Sequence, residues 1–349
     1  MIADLRLQHF RSYDDNTFEF GSGVNIIVGP NGSGKTNLLE GMLVLCRGSS
    51  YRAPDRELIQ HGKEWARLDS HIGDHERIVK LKLENEMVKK EYQIGGSILK
   101  RLQHSRTVPV VVFEPNHLQL LTESPELRRG FLDDTIEQTV PAFGELRRQY
   151  RRTLAQRNSL LKQDFSKDQL FIWDVRLSEL GGQLADHRYE FVEQSKAQLA
   201  KLYQKLAGKK AKVDLVYESR ISRANYGSTM LKALEDRQAL DKERGFTTLG
   251  PHRDDLVPLL NGYPLSAAAS RGETRTMLLA LKLLELQAVE AARDTKPILL
   301  LDDVFSELDG ARRQALTAYL KDHQAFITTT DADIVVQHFL DDCTVIPLA

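Results

Sequence analysis

Hydrophobic and polar positions divide the chain of 349 residues into strand-like and helix-like stretches. Apolar residues dominate from Val24 to Val28 and fill the run from Ile298 to Leu301, which predicts strands buried on both faces. Between residues 65 and 94, polar and apolar residues alternate in three segments, which predicts an antiparallel meander. Strands of both kinds, together with helical stretches, indicate an α/β fold with a mixed sheet.

A long helical stretch interrupts this pattern. From residue 143 to 206, apolar residues recur mostly at spacings of three, four or seven, which predicts two helices. The second helix would span about 60 Å if it were straight, and Gly181 and Gly182 are the expected point of interruption. We therefore predict a short helical arm over residues 126–244, inserted into a head domain formed by residues 1–125 and 245–349.

Composition narrows the class of protein. The hydrophobic content of 41% and the formal net charge of −1 are typical of a soluble protein without a global basic field, so a nucleic-acid surface has to be a local patch. Cys46 and Cys343 are the only cysteines, which argues against a disulfide framework or a structural zinc site. The N-terminus is not typical of a signal peptide, and the apolar runs are too short to cross a bilayer. We expect a cytoplasmic protein without a membrane partner.

A Gly-rich loop joins the first buried strand to a helix. The spacing of Gly29, Gly34, Lys35 and Thr36 matches a P-loop, in which backbone N–H groups and the lysine surround the phosphates of a nucleotide. The threonine hydroxyl is the expected ligand of Mg²⁺, and a coincidental Gly-rich turn is the alternative. The predicted ATP-binding residues of the loop are Gly29, Pro30, Asn31, Gly32, Ser33, Gly34, Lys35, Thr36 and Asn37.

Two aspartates, Asp302 and Asp303, follow the second buried strand. A carboxylate at this end of a strand can hold Mg²⁺ beside the P-loop threonine, and the next carboxylate can orient the attacking water. We therefore predict Thr36 and Asp302 as the metal ligands, and Lys35, Asp302 and Asp303 as the catalytic residues. A strand that simply meets a turn is the alternative.

A second anion site is predicted where Ser270 and Gly272 precede a strongly apolar helix. The first backbone N–H groups of a helix have no partner within it and attract anions. The chain has only one P-loop, so the simplest explanation is that this turn completes a nucleotide site on another copy of the chain. An ordinary capped helix is the alternative.

The order of these motifs is similar to that of one family. The segments GPNGSGKTN, GPHRDDL, SRGE, LLLDDVFSELD and FITTTD resemble the RecF family of SMC-like ABC ATPases, and the likeness covers essentially the whole chain. The resemblance implies an ABC-type head with a short helical arm, ATP-induced homodimers, DNA binding, and action with RecO and RecR in loading RecA at single-stranded gaps. It also implies that Ser270 and Gly272 act in trans.

Several positions depart from the general ABC pattern. Asp303 stands where glutamate is common, and Thr328 to Thr330 occupy the strand where a histidine is usual. The RecF family shares both features, which implies a weak ATPase. Glu273 follows the signature glycine where the family has a neutral glutamine, so the strength of binding in trans is open, and Arg271 is a candidate to compensate its charge. The glutamine expected between the two lobes is not evident, and Gln119 is a candidate for it.

A basic segment of the predicted arm is the candidate DNA surface. No acidic residue occurs from Arg147 to Gln163, and Arg147 and Arg151, like Arg148 and Arg152, lie about one helical turn apart. The DNA backbone is the natural partner of such a face, and a solvated face is the alternative. Two further basic residues, Arg157 and Lys162, extend the same segment.

Some features leave alternatives open. Arg52 is close enough in sequence to the P-loop to reach nucleotide or DNA, but an exposed loop arginine is equally consistent. Residues 252–255 have no assigned chemistry, and pinning of a core strand to the neighbouring lobe is the alternative to a functional site. A transporter ATPase subunit would have an LSGGQ-like signature and a shorter separation between the two phosphate motifs. An SMC-like scaffold of defence or chromosome structure would use the same head, but GPHRDDL and the short arm favour the RecF family.

Overall fold

A computed structural model describes residues 1–50, 52–163, 167–331, 335, 337, 339 and 343–348. The chain forms two compact units, Met1–Pro115 with Val289–Ala349 and Asn116–Ala288. Residues 245–288, which the sequence places in the head, belong to the second unit. The division into compact units therefore differs from the predicted division into head and arm, and the boundaries of those two domains stay a prediction. None of the helices in the described ranges has the length and apolarity that crossing a bilayer requires.

The first unit begins with an antiparallel sheet and the helix that follows the Gly-rich loop. Its elements in chain order are β1 (Asp4–Phe10), β2 (Tyr13–Glu19), β3 (Val24–Val28), α1 (Lys35–Arg47), α2 (Asp55–Leu58), β4 (Trp65–Ile72), β5 (His75–Glu84), β6 (Met87–Ile94), β7 (Ser97–Leu99) and β8 (Val110–Phe113). One sheet has the order β2-β1-β4-β5-β6-β7, and each neighbouring pair in it is antiparallel. The predicted meander is confirmed by β4, β5 and β6.

The second unit is mostly helical and contains a small antiparallel sheet. Its elements are α3 (Leu118–Thr122), α4 (Pro125–Thr139), α5 (Phe143–Leu161), α6 (Lys167–Ala207), β9 (Val213–Glu218), α7 (Tyr226–Asp236), α8 (Gln238–Arg244), β10 (Asp255–Leu260), β11 (Tyr263–Pro264), α9 (Leu265–Ala268) and α10 (Arg271–Arg293), whose residues from Val289 onward belong to the first unit. The sheet has the order β11-β10-β9. The two long predicted helices are thus α5 and α6.

The glycine pair in α6 does not interrupt the helix as the sequence suggested. Helix α6 continues through Gly181 and Gly182, where α7 packs closely against it. A Cβ atom on Gly181 would lie 2.7 Å from Sδ of Met230, and one on Gly182 would lie 3.3 Å from Cα of Gly227. The glycines therefore permit a close approach of two helices, a role that local periodicity does not reveal.

The chain then completes a parallel sheet in the first unit. The remaining elements are β12 (Ile298–Asp302), α11 (Val304–Glu307), α12 (Gly310–Leu320), β13 (Ala325–Thr329) and β14 (Cys343–Pro347). The strand order is β14-β3-β13-β12-β8, and all four neighbouring pairs are parallel. The α/β class is confirmed, with parallel and antiparallel strands in separate sheets among the described residues. The carboxyl ends of β3, β12 and β13 lie at one edge of this sheet.

Helix α1 packs against strands of both sheets, which explains why it is apolar on nearly every side. It contacts β1, β4 and β5 of the antiparallel sheet and β8, β12 and β13 of the parallel sheet. Leu38, Met42 and Leu45 are completely buried, and burial of each such side chain contributes about 1.5–3 kcal/mol. This packing fixes the helix start, and with it the Gly-rich loop, at the carboxyl edge of the parallel sheet.

Candidate nucleotide-binding site

The Gly-rich loop connects β3 to α1 in a conformation that favours glycine. Gly32 and Gly34 have φ angles of 86° and 93°, in the left-handed region. The side chain of Lys35 is folded back onto the loop, and its Nζ donates hydrogen bonds to the carbonyl oxygens of Gly29 at 2.6 Å and Pro30 at 2.8 Å. The loop thus has the strand, turn and helix context that a P-loop requires.

The segment between β1 and β2 supports this loop from behind. The hydroxyl of Tyr13 donates to the carbonyl oxygen of Gly34 at 3.0 Å, and Nδ2 of Asn37 donates to Oγ of Ser12 at 2.9 Å. A Cβ atom on Gly34 would lie 2.9 Å from the Tyr13 hydroxyl oxygen. Tyr13 is buried, which raises the pKa of its phenol to about 12. The contacts of Tyr13 are those of a core residue.

Asp302 lies at the end of β12, next to the start of α1. The hydroxyl of Thr36 shares its one proton between the two carboxylate oxygens, and its Oγ1 lies 3.0 Å from Oδ1 and 2.9 Å from Oδ2. The predicted pair is therefore in contact, and it offers a hydroxyl and a carboxylate, the oxygen ligands that Mg²⁺ prefers. The role of the two residues as metal ligands stays a prediction.

Thr328, one of the three threonines in the strand where an ABC histidine is usual, links the two aspartates. Its Oγ1 donates to Oδ1 of Asp302 at 2.7 Å and accepts from the backbone N–H of Asp303 at 3.0 Å. Asp303 has a φ of 51°, so the strand ends there in a left-handed turn before α11. The sequence identified Thr328 only as a departure from the ABC pattern. Its contacts across the parallel sheet could not be derived from local spacing.

Arg52 and Glu114 form an ion pair at the same edge of the sheet. Nη1 of Arg52 donates to Oε1 of Glu114 at 2.9 Å and to Oδ2 of Asp302 at 3.1 Å. Glu114 follows β8, and β8 is the parallel neighbour of β12 with Phe113 opposite Leu301. The sequence offered one signal that was missed, since Glu114 is another carboxylate directly after a buried strand. Gln119, the candidate inter-lobe glutamine, lies on α3 of the second unit.

Ser270 and Gly272 lie at the start of α10 in the second unit. The backbone N–H and the hydroxyl of Ser270 donate to Oε2 of Glu273, and the backbone N–H of Glu273 donates to the Ser270 hydroxyl, which together form a capping box. These hydrogen bonds, with one from Lys209, lower the pKa of Glu273. Lys209 at 3.3 Å, and not Arg271, is its ion-pair partner among the described residues. The contribution of this turn to a second copy stays a prediction.

The predicted basic face is partly neutralised by acids from other helices. Arg147 forms ion pairs with Asp133, Asp134 and Glu137, and its side chain is 13% exposed. Arg148 pairs with Glu145 but remains 52% exposed. The other arginines of this segment also differ in exposure. Arg151 and Arg152 are exposed, whereas Arg157 is fully buried between Asp174 and Asp241. Arg148, Arg151 and Arg152 therefore carry what remains of the predicted DNA surface.

The GPHRDDL segment is held in the second unit by a buried polar network. Asp254 accepts hydrogen bonds from the hydroxyls of Tyr217, Tyr226 and Ser219, each at 2.8 Å. Burial raises the pKa of Asp254. His252 contacts the Tyr150 hydroxyl at 2.7 Å, and burial lowers the pKa of its imidazole to about 4. These contacts describe a packing role within the unit for this motif.

Comparison with known proteins identifies the family. The model of the RecF/RecN/SMC N-terminal domain matches residues 1–344. A DNA replication and repair protein RecF from Heliobacterium modesticaldum is 37% identical over 343 residues, which cover 94% of this chain and 92% of that protein. The chain belongs to the RecF family. A RecF from Halalkalibacterium halodurans is 33% identical, covering 99% of this chain and 96% of that protein.

Solved structures agree with this assignment. The structure of the recombination mediator protein RecF with ATP, in the RecFOR pathway, is 30% identical, covers 95% of this chain and 92% of its own, and has a TM-score of 0.85. An Smc head domain from Pyrococcus furiosus has a TM-score of 0.51 at 17% identity, covering 97% of this chain and 91% of its own, and shows likeness of fold alone. The predicted SMC-like ATPase head is thereby confirmed as the fold class.

Proposed function

We propose that this protein is a DNA replication and repair ATPase that uses ATP to close a homodimer on DNA. The observation that carries the proposal is the contact of Thr36 with Asp302 at the P-loop edge of a RecF-family chain. ATP is the expected ligand because a RecF relative of 30% identity has been solved with ATP. Membership of the family favours a role in the response to DNA damage, including recombination, the SOS response and replication, in the cytoplasm.

The residues of the loop supply the nucleotide contacts in this proposal. The left-handed glycines turn backbone N–H groups toward the phosphates, and Lys35 exchanges the carbonyls of Gly29 and Pro30 for phosphate oxygens. Thr36 and Asp302 would hold Mg²⁺, which neutralises charge on the phosphates when it is bound. Asp303 would orient the attacking water. Because aspartate is one methylene shorter than glutamate, we expect slow hydrolysis and a weak ATPase.

Dimer closure would depend on the start of α10. Ser270 and Gly272 from one protomer would contact the triphosphate held by its partner, so that two nucleotides lie in a closed dimer. For this contact the Ser270 hydroxyl has to release the carboxylate of Glu273. ATP then acts mainly as a clamp, and hydrolysis opens it.

The DNA surface would be the remaining exposed arginines of α5. Arg148, Arg151 and Arg152 present positive charge that can neutralise phosphates, and binding of this kind weakens as salt rises. The family implies single-stranded gaps and their duplex junctions as the target, and RecR, RecO and indirectly RecA as partners.

The decisive experiment measures the oligomeric state with and without ATP and Mg²⁺. We expect the wild-type protein to dimerise with ATP, Lys35→Arg to bind or hydrolyse ATP poorly, and Asp303→Asn to accumulate as a closed dimer. A protein with Asp303→Asn that stays monomeric at saturating ATP would contradict the clamp.

A binding assay on gapped and intact duplex at two salt concentrations tests the DNA surface. Arg148→Gln with Arg152→Gln should weaken binding and reduce its salt dependence. The matched control replaces Arg220 and Arg244, two exposed arginines of the same unit, by glutamine. Equal loss in both double variants would refute the assignment of this surface.

A further inference from the structure

One guanidinium nitrogen bridges two carboxylates beside the predicted metal ligands. Nη1 of Arg52 lies 2.9 Å from Oε1 of Glu114 and 3.1 Å from Oδ2 of Asp302. Both carboxylates are well shielded, with exposed side-chain fractions of 7% for Glu114 and 14% for Asp302, whereas Arg52 is 34% exposed. Arg52 thus reaches from the solvent side into a shielded site with two negative charges.

The backbone around Arg52 positions this side chain. The backbone N–H of Arg52 donates to Oγ of Ser50 at 2.9 Å, and the same hydroxyl donates to Oε1 of the buried Glu40 at 2.5 Å. Glu40 is itself paired with Arg11 at 2.7 Å. Hydrogen bonds therefore connect the backbone at Arg52 to helix α1 and fix the position from which the guanidinium reaches Asp302 and Glu114.

Three donors share the carboxylate of Asp302 among the described contacts. The single hydroxyl proton of Thr36 faces both Oδ1 and Oδ2, Thr328 donates to Oδ1, and Arg52 donates to Oδ2. A cation held by Thr36 and Asp302 has to approach the carboxylate among these donors. Arg52 is the donor that carries positive charge and therefore the one that a divalent cation repels most.

We propose that Arg52 and a divalent cation compete for Asp302. The guanidinium contacts Asp302 when the carboxylate is not bound to the cation, and it leaves Asp302 but keeps its contact with Glu114 when Thr36 and Asp302 take the cation. Glu114 is the positioning residue that keeps the displaced guanidinium at the site. The inference rests on the proposed function only for the identity of the cation as the Mg²⁺ that accompanies ATP.

Mn²⁺ binding in the absence of nucleotide, followed by electron paramagnetic resonance on the full chain, tests the competition. Arg52→Gln removes the competing charge and should tighten Mn²⁺ binding by about tenfold or more. Arg52→Lys keeps the charge and should stay within about threefold of the wild type. Glu114→Gln removes the carboxylate that shares Arg52 with Asp302. Arg52 should then stay closer to Asp302, so Mn²⁺ binding should weaken.

The controls separate this competition from other effects of charge. Arg56→Gln, an exposed arginine close by in sequence, makes the same change in net charge and should leave Mn²⁺ binding within about twofold of the wild type. Asp302→Asn should abolish the site. The proposal is overturned if Arg52→Gln binds Mn²⁺ no tighter than Arg56→Gln, or if Asp302→Asn still binds Mn²⁺ like the wild type.

A measurement on the wild-type side chain avoids any dependence on folded variants. Titration with Mg²⁺ should shift the Nε–Hε nuclear magnetic resonance signal of Arg52 in a saturable way, and an unchanged signal at saturating Mg²⁺ would overturn the proposal. Neither readout uses ATP turnover. Failure of ATP-induced dimerisation would therefore count against the proposed function and leave the metal competition to be judged by these experiments.

Discussion

Replacing Thr328 by valine tests whether its hydroxyl holds the two aspartates in place. Valine has nearly the same shape, so the substitution removes the hydrogen-bonding group without opening a cavity at a residue that is completely buried. The lost contacts are the bond donated to the Asp302 carboxylate at 2.7 Å and the bond accepted from the Asp303 N–H at 3.0 Å.

The expected loss follows from these two bonds. A hydrogen bond to a charged group contributes about 1.5–3 kcal/mol, and a neutral one about 0.5–1.5 kcal/mol. The Asp303 N–H is partly buried and would be left without this acceptor. We therefore expect Thr328→Val to lower the free energy of unfolding by about 2–4 kcal/mol.

Urea unfolding provides the measurement, with Thr328→Ser as the control. Serine keeps the hydroxyl and removes one methyl group, which should cost about 1 kcal/mol. Nucleotide-dependent dimerisation should fall further with valine than with serine, because Asp302 and the turn at Asp303 lose their common partner. A valine variant as stable as the serine variant would refute the role assigned to the hydroxyl.

Three further outcomes are expected. Gly34→Ala places a Cβ atom 2.9 Å from the Tyr13 hydroxyl at a φ of 93°, so it should lower stability by about 1–2 kcal/mol in urea unfolding and weaken ATP binding in calorimetry. Glu273→Gln removes the negative charge beside the Ser270 hydroxyl, where a triphosphate of the partner would bind, so ATP-induced dimerisation should tighten several-fold in sedimentation, and an unchanged constant would contradict this reasoning. Burial lowers the pKa of His252 to about 4 in the folded chain, so the unfolded chain binds the extra proton first as the pH falls. The contribution of the neutral imidazole to the free energy of unfolding is therefore complete above pH ~6.5 and is lost as the pH falls toward 4. The difference in stability between wild type and His252→Gln should shrink by up to about 3 kcal/mol over this range.

The nucleotide loop and the strand-end aspartates could be predicted because their signals are local. A fixed spacing from Gly29 to Thr36, with a buried strand before it and an apolar helix after it, is enough to indicate the loop. The unbroken run that ends at Asp302 indicates a buried parallel strand by the same logic. Both interpretations depend on residues that are neighbours in sequence.

The missed residues depend on contacts between distant segments. Thr328 meets Asp302 because β12 and β13 are adjacent, and Glu114 lies beside Asp302 because β8 flanks β12 on the other side. No spacing within one segment reports a strand order. For the same reason, the sequence does not reveal that Arg147 and Arg157 are paired with acidic residues, because those acids come from α4, α6 and α8.

The departures at Asp303 and in the strand from Thr328 to Thr330 are physically connected through Thr328. Thr328 uses its hydroxyl both as a donor to Asp302 and as an acceptor from the Asp303 N–H, and its side chain is completely buried. A threonine engaged in this way has no donor left for a phosphate oxygen. Because its hydroxyl is engaged by the aspartates, Thr328 offers no hydrogen bond to charge that develops during hydrolysis, which agrees with the slow hydrolysis that we propose.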